Sequence, residues 1–405
     1  MTKIRIFIFL LTLIIVGAAG LFISYYARGY RLDFKTFKFQ PNGILVIQSE
    51  PTGASVYIDG ELKTATNANI SLSPGVYDVE VKKDGYFSWD KRLTIQKEVV
   101  TQATVSLFKN VPSLSPVTFS GATNPIASED GTKIAYVVLP GKNVESDKVG
   151  LWVMDTFTLP LGFSNEPKRI TDGDLTNYDY QFSPDNRQIM LSTSNSVFMV
   201  DTGSFTPQSQ LINIISTKAA TLNEWQNESL LKKTSLIQSL PKELANILTT
   251  DPDGVIFSPD ENMVLYTASI SGVLDNNLIP QLPGASTQQQ ERDIQPGHTY
   301  VYDIKEDRNF LISNQPVTLN TQPPTQNSSQ TIPALRWMPS SRHLLLAQSN
   351  QVIIMDYDGT NREVVYSGSY VAPYAFPFSN ATKLLILTNL GAGSATPNLY
   401  TLTVK

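Results

Sequence analysis

Hydrophobic and polar positions fall into three regimes along the chain. Ile6–Tyr26 is an uncharged apolar run (IFIFLLTLIIVGAAGLFISYY) of 21 residues. At about 1.5 Å per residue it covers roughly 31 Å as a helix, enough to cross a bilayer core. Tyr25 and Tyr26 stand at its interfacial end, followed by Arg28 and Arg31. From Gly43 to about Leu107 the pattern alternates with period two, in the runs ILVIQS, ASVYIDG, NISLS, GVYDVEVKK, KRLTIQ and TVSLF. Asp59-Gly60 and Ser73-Pro74-Gly75 supply hairpin chemistry between them. Six short strands predict a small antiparallel β-sandwich.

After residue 120 one phrase recurs five times: a strand, a Pro/Asp/Gly/Ser turn, and a second, apolar strand. The copies read IASEDGTKIAYVV from Ile126, YQFSPDNRQIMLS from Tyr180, VIFSPDENMVLYTAS from Val255, LRWMPSSRHLLLAQ from Leu335 and YAFPFSNATKLLILTN from Tyr374. A third strand follows, ending in Asp155, Asp201, Asp303 and Asp356 in four copies, and reading LYTLTV in the last. One such unit cannot bury its apolar faces alone, so the copies must stack, which predicts a β-propeller of about five blades. The last copy stops after its third strand. PVTFS (Pro116–Ser120), before the first copy, is the natural donor of the missing fourth, closing the ring and removing a free edge. The expected division is an anchor and juxtamembrane segment at 1–40, a sandwich at 41–109 and a propeller at 110–405.

Several stretches interrupt the repeats. Thr221-Leu-Asn-Glu224 has the form of a capping box and predicts a helix to about Leu240, with Pro241 starting a second through Ile247, so that 221–249 is a helical insert. Leu222, Trp225, Leu230, Leu236, Ile237, Leu240, Leu244 and Ile247 supply its apolar surface. It reads either as a hairpin packed on the propeller or as a partner-docking helix. Residues 275–297 and 313–332 are rich in Pro, Gln, Ser and Thr and are expected to be mobile and solvated. The loop between second and third strands is long in copies one, three and five and short in two and four. In a four-stranded blade that loop opens on the same face as the connection to the next blade, so the long loops should gather on one face of the ring.

Composition narrows the function classes. Lys and Arg number 31 against 36 Asp and Glu, a net charge of −5, so no basic excess drives nucleic-acid binding. With no Cys, the chain has no thiol nucleophile, disulfide or Cys-ligated metal, and two His leave little room for His-based catalysis. HExxH, Walker A, GxGxxG and GxSxG motifs are all missing. The strand-end aspartates read as turn-starters accepting backbone N–H groups, and Asp356-Tyr-Asp358-Gly359 as a hairpin rather than a Ca²⁺ loop. His298 and His343 read as structural, and Asp172/Asp174 and Asp251/Asp253 as turn acids. No catalytic, cofactor or metal residues are expected, and the chain is not expected to be an enzyme.

The residues SEPTGASVYIDG (Ser49–Gly60) and SPGVYDVEVKKDGY (Ser73–Tyr86) resemble the PEGA domain, a β-sandwich module of prokaryotic envelope proteins. Pro51-Thr52-Gly53-Ala54 stands for the namesake tetrapeptide, while LKTATNANI replaces the usual Gly-x-Thr-Pro stretch, leaving that loop's contacts open. Ser183-Pro184-Asp185 and Ser258-Pro259-Asp260, each before an apolar strand, resemble the TolB-like propeller family; the other three turns depart from that signature. The resemblance implies an envelope protein with an adhesion or scaffolding module.

The expected function is therefore a membrane-anchored, extracytoplasmic binding or scaffold protein of a bacterial cell envelope. It would meet the bilayer through residues 6–26 and bind a protein or cell-wall polymer on the propeller face. The alternatives are an envelope hydrolase or glycan-processing enzyme with its site in the channel, and a sensor. A cleaved signal peptide competes with the anchor, with Lys3 and Arg5 as n-region, Ile6–Val16 as h-region and Gly17-Ala18-Ala19-Gly20 as the small-residue site. Counted strictly, Arg28, Arg31, Lys35 and Lys38 lean towards a cytoplasmic C-terminus. The signal-like n-region, the lack of Cys and the Asn/Gln/Ser/Thr-rich surface favour the opposite orientation, N-terminus inside and C-terminal domains outside.

Overall fold

The computed structural model describes residues 2–27, 30–33, 38–142, 144–157, 166–280, 288–319, 332–393 and 395–405. Arg28, Lys35 and the cores of the two polar stretches, 281–287 and 320–331, lie outside the described residues, as do the side chains of Lys3, Arg31 and Lys38. The described chain forms two compact units, the first running to Leu107 and including Gln288, the second comprising Phe108–Pro280 and Gln289–Lys405.

In the first unit, helix α1 spans Thr2–Ala27, and Ile4–Ala27 is long and apolar enough to cross a membrane. Seven strands then form two sheets. One orders Ala68–Leu72, Gly43–Glu50 and Val100–Ser106; the other orders Glu61–Ala65, Ser55–Ile58, Gly75–Lys82 and Trp89–Ile95. Their alternate residues Leu45, Ile47, Val56, Ile58, Val79, Val81 and Val105 meet in one core, as period-two alternation requires. All pairs are antiparallel but one: Gly43–Glu50 runs parallel to Val100–Ser106, with Ile44 opposite Val100 and Glu50 opposite Ser106. The reason is topological. First and last strands of the module lie side by side, joined by everything between them instead of by a hairpin.

The stretch that departs from the PEGA pattern has contacts of its own. Thr66 Oγ1 lies 2.5 Å from Ser49 Oγ and accepts from Ala54 N at 3.0 Å, and Asn67 Oδ1 accepts from Ser49 N at 3.0 Å. Backbone bonds Gly53 N to Thr66 O and Thr66 N to Ala54 O complete the lock on the Pro51–Ala54 turn.

The second unit is built of five sheets of consecutive strands. Blade one comprises Thr123–Ala127, Lys133–Val138, Gly150–Asp155 and Lys168–Asp172; blade two Asp179–Phe182, Gln188–Ser192 and Val197–Asp201; blade three Val255–Phe257, Met263–Thr267, Thr299–Asp303 and Arg308–Ser313. Blade four comprises Ala334–Trp337, His343–Gln348, Gln351–Asp356 and Glu363–Ser367; blade five Ala375–Pro377, Lys383–Thr388 and Asn398–Thr403. Its fourth strand is Ser113–Pro116, paired antiparallel from Ser113 opposite Thr403 to Pro116 opposite Tyr400. The closing strand therefore comes from before the first copy, as expected, but overlaps PVTFS only at Pro116. Val117 to Ser120 instead flank it, with Val117 and Thr118 N both donating to Leu399 O.

Apolar side chains join neighbouring blades: Tyr136 and Val138 with Phe376 and Leu385, Val137 and Leu151 with Ile189 and Leu191, and Leu265 and Val301 with Leu335 and Leu344. The blade-two sheet has three strands, not four. In the fourth place Ile214 N donates to Val197 O, and Asn213 Oδ1 accepts from Val197 N at 3.0 Å.

All five turns between first and second strands share one conformation. The fourth turn residue has positive φ in every copy: Gly131 at 68°, Asn186 at 58°, Glu261 at 58°, Ser341 at 57° and Ala381 at 54°. In blades one to three a serine locks the turn. Lys133, Gln188 and Met263 N–H groups donate to the hydroxyls of Ser128, Ser183 and Ser258, which donate to Asp130, Asp185 and Asp260. Met338 and Phe378 replace that serine in blades four and five, where the backbone bonds Met338 N to His343 O and Phe378 N to Lys383 O persist. Backbone geometry, not the Ser-Pro-Asp spelling, is the repeating unit.

Two expectations are revised. Helix α2 spans Lys218–Gln238, so Thr221 and Glu224 lie inside it and form no cap. Asn213 acts earlier, its Oδ1 accepting from Ile215 N at the start of a 3-10 turn (Ile215–Thr217) that leads into the helix. Helix α3 is Lys242–Leu248, preceded by Pro241. Ile237, Leu240, Leu244 and Ile247 pack on Val264, Tyr266 and Tyr300, so the insert is seated on blade three. Leu230 and Leu231 remain exposed, and Leu222, Trp225 and Leu236 half-buried. The flanks of the polar stretches are also more ordered than their composition suggests. Gly272–Val273 pairs with Asp293–Ile294, and Arg292 Nη1 meets Asp307 Oδ1 at 3.0 Å. Thr318 N donates to Pro333 O, Leu335 N donates to Thr318 O, and Leu319 is buried.

Two stability tests follow from these contacts. Thr66→Ala orphans buried partners at Ser49 and Ala54 and should destabilise the sandwich by about 1–3 kcal/mol. Hydrogen exchange of the full chain in detergent should show residues 49–54 losing protection ahead of the propeller; unchanged exchange would contradict this account of the turn. At equivalent turn positions Glu261→Gly and Gly131→Val should have opposite signs, each about 1 kcal/mol, because φ is what is at stake: Glu261 is exposed, and a Cβ on Gly131 meets open space. Urea midpoints of the two variants measure this.

Candidate binding site at the propeller axis

Register decides what each end of the ring carries. In blade one Thr123 lies opposite Val137, Val138 opposite Gly150, and Gly150 opposite Asp172. The start of the first strand, the loop between second and third strands and the end of the fourth thus share one edge; the Ser/Asp turns occupy the other. The same antiparallel order in blades three and five puts their long loops, which follow Thr267 and Thr388, on the equivalent edge.

First strands of neighbouring blades touch through polar tips. The Tyr180 hydroxyl donates to Asn124 O and, at 3.3 Å, to Thr123 O, linking blades two and one. Trp337 Nε1 donates to Ile256 O at 3.2 Å, linking four and three. Arg336 Nη1 donates to Pro373 O at 3.3 Å and Ala375 O at 3.2 Å, linking four and five, and the Tyr374 hydroxyl reaches Asn124 Oδ1 at 3.5 Å, linking five and one. Such contacts require the first strands to gather around the axis. Their inner edges have no further strand to pair with, and these side chains donate to carbonyls there.

Arg336 is the charged member of this set. It is 8 % exposed, its guanidinium lies 4.8 Å from the centre of the Phe376 ring, and Nε has no hydrogen-bond partner. Desolvation pulls its pKa down to about 10, opposed by the nearby phenols of Tyr370 and Tyr374, so the group stays charged at neutral pH. Arg336, Tyr370, Tyr374, Tyr180 and Asn124 were not singled out by the sequence reading. The available signal was a lone Arg in the otherwise apolar strand Leu335-Arg336-Trp337-Met338.

The structure disperses the acids and histidines that the sequence offers. Asp201 accepts from Gly203 N at 2.7 Å, and Asp303 from Lys305 and Glu306 N, as turn-starters do. Asp155 instead pairs with Lys133 Nζ at 2.9 Å, and Asp356 accepts from Asn361 Nδ2 at 3.0 Å and faces His343 Nε2 at 3.5 Å. Asp358 accepts from Thr360 Oγ1 at 2.6 Å beside Gly359, which has φ 78°, forming a tight hairpin turn. Asp172 and Asp174 accept from Gln208 N and Thr176, Asp251 from Gly254 N, and His298 Nδ1 meets the Tyr300 hydroxyl at 3.5 Å. Among the described residues, the hydrogen bonds of Asp172, Asp174 and Asp251 do not reach the axial set.

Ser340, His343 and Asp356 do come into line, with Ser340 Oγ 2.9 Å from His343 Nδ1. Phe108 closes the imidazole edge-on at 5.1 Å, and the chain of contacts ties the blade-four turn to its third strand. Among the described residues, no group of three or more His, Asp or Glu is placed to hold a metal.

Residues 42–110 match the PEGA domain family. Solved structures similar to the chain include a TolB-type protein from Agrobacterium tumefaciens, with TM-score 0.22, 13 % identity, 69 % of this chain and 77 % of that one. Another is TolB from Acinetobacter baumannii, with TM-score 0.21 and 13 % identity, aligned over 81 % of this chain but only 59 % of that one. A third is an oligogalacturonate lyase in complex with manganese, with TM-score 0.22, 10 % identity, 84 % and 81 %. At such scores the propeller fold rests on the five sheets and their closure, not on these likenesses. No curated protein matches the chain by sequence.

The turn carboxylates carry a pH dependence. Asp185 is held below the usual carboxylate range by the Ser183 hydroxyl and the Arg187 N–H. For Asp130 and Asp260 burial pushes upward, but donors outweigh it: Thr132, Ser128 and Asn186 on the first, Asn262, Ser258 and Ser341 on the second. Asp303, pushed up by burial, acts in the opposite sense. A folded pKa below the unfolded value of about 4 stabilises fully above that value and is lost as pH falls through the folded pKa. The propeller melting temperature should therefore drop between about pH 5 and 3. Combining Ser183→Ala with Ser258→Ala should flatten that drop; an unchanged slope would show that these hydroxyls do not set it.

Proposed function

We propose that this is a membrane-anchored, extracytoplasmic binding or scaffold protein of a bacterial cell envelope. Helix α1 holds it in the bilayer with the N-terminus cytoplasmic, the PEGA sandwich serves as a spacer, and the loop-bearing propeller face binds a protein or cell-wall polymer. The observation that carries the binding reading is the register, which collects the long loops of blades one, three and five on the edge where the axial first strands begin. The PEGA match and the membrane-length helix support the envelope setting. A binding role rather than catalysis fits a surface whose acids and histidines are occupied in turns, ion pairs and strand contacts.

Two measurements test this. A C-terminal alkaline phosphatase fusion, active only outside the cytoplasm, should be active; an inactive but intact fusion would overturn the orientation. Full-length protein in detergent should retain an envelope component that is lost when residues 139–149 are replaced by a short Gly-Ser turn. Equal retention by both proteins would overturn the assignment of binding to this face.

A further inference from the structure

Among the described residues, Arg336 places a positive charge at the centre of the ring without a negative partner. Its hydrogen bonds go from Nη1 to two neutral carbonyls, and neither Nε nor Nη2 has a partner among the described residues. The groups that act on it electrostatically are phenols, those of Tyr370 and Tyr374, and the Phe376 ring faces it. By contrast, Arg292 of the propeller has the carboxylate of Asp307 at 3.0 Å.

Burying an ion costs several kcal/mol even after relaxation. Two charge-assisted hydrogen bonds at about 1.5–3 kcal/mol each and a cation–π contact offset that cost, but they leave the charge without a counter-ion and Nε without a partner. The unused Nε and Nη2 form one edge of a planar fork, the geometry that takes both oxygens of a carboxylate. Among the described residues, no second cation acts on the site, so its charge matches a monoanion rather than a phosphate dianion. Tyr370 and Tyr374 flank it, their hydroxyls directed to Gln348 O at 2.7 Å and to Asn124.

We propose that Arg336 anchors a carboxylate site at the propeller axis, binding a monocarboxylate ligand through its Nε/Nη2 edge between the first strands of blades four and five. This rests on the reading of the propeller as a binding module and supplies the chemistry it recognises.

The test uses the full chain in detergent, with ligand-observed NMR titrations of acetate, N-acetylalanine as a peptide terminus, glucuronate as an acidic sugar, and inorganic phosphate. Saturable binding of at least one carboxylate is expected, with phosphate weaker. Arg336→Met should weaken that binding at least about tenfold and Arg336→Lys, which keeps charge but not the fork, by a smaller factor. Should Arg336→Met fail to fold by circular dichroism, Arg336→Lys carries the comparison. No carboxylate binding by the wild type, binding unchanged in the variants, or phosphate bound as tightly would each overturn the proposal. Preference between N-acetylalanine and glucuronate identifies the ligand source. These outcomes are separable from the loop-replacement retention test, which reads the propeller face whether or not Arg336 binds an anion.

Discussion

A ring of sheets stays a ring only if its two ends are fastened, and here the fastening is one short strand. Ser113–Pro116 lies against Asn398–Thr403, and Lys109, Val117 and Ala122 N–H groups extend the pairing to Val404, Leu399 and Pro397 carbonyls. Thr118 seals the joint: its Oγ1 accepts from Leu399 N, 281 positions away, and meets Asn398 Oδ1. Closing a loop of that length costs on the order of 5 kcal/mol from (3/2)RT ln n. A backbone hydrogen bond returns about 1 kcal/mol net, so no single contact could hold the joint and several must form together. The inter-blade cores depend on this, because blade five packs on blade one through Phe376, Leu385, Tyr136 and Val138 only when both ends are in place.

Within that ring the blades are positioned by turns whose chemistry varies and whose geometry does not. The positive φ at Gly131, Asn186, Glu261, Ser341 and Ala381 reverses each first strand into its second at the same angle. Contacts between turns then link blades at that edge: Asp260 N donates to Ser341 Oγ at 3.0 Å, and Thr156 Oγ1 lies 2.7 Å from Ser379 Oγ. Only Gly131 and Asn186 belong to residue types that favour this conformation, so blades three to five tolerate strain that cooperative packing repays.

The parts legible in the sequence were those written in local patterns. Alternation located the strands, turn residues separated them, and the incomplete last copy pointed to a donor strand upstream. What failed was non-local or depended on competition. The parallel pairing of Gly43–Glu50 with Val100–Ser106 involves strands with the rest of the module between them, which periodicity cannot relate. The Thr221/Glu224 pattern is a sound cap in isolation, but Asn213 offers an acceptor earlier, and the helix extends back towards it. Thr66 and Asn67 looked like a loop without its usual motif, yet their side chains supply the bonds that fix the Pro51–Ala54 turn.

The axial site shows why function was harder to read than fold. Adjacent in the strand, Trp337 and Arg336 turn opposite ways, Trp337 to blade three and Arg336 to blade five. Whether a buried charge finds a counter-ion, however, depends on residues far off in the sequence, here Pro373–Phe376, which offer carbonyls and a ring but no carboxylate. First strands gathered around an axis offer inner-edge carbonyls to donors from the next blade. Tyr180 and Trp337 supply one neutral donor each. Arg336 donates there too, but brings more donors than the two carbonyls use and a charge that they do not neutralise. A neutral donor would serve closure equally well at lower desolvation cost, so the excess of charge and donors at this position is the feature that closure alone does not require.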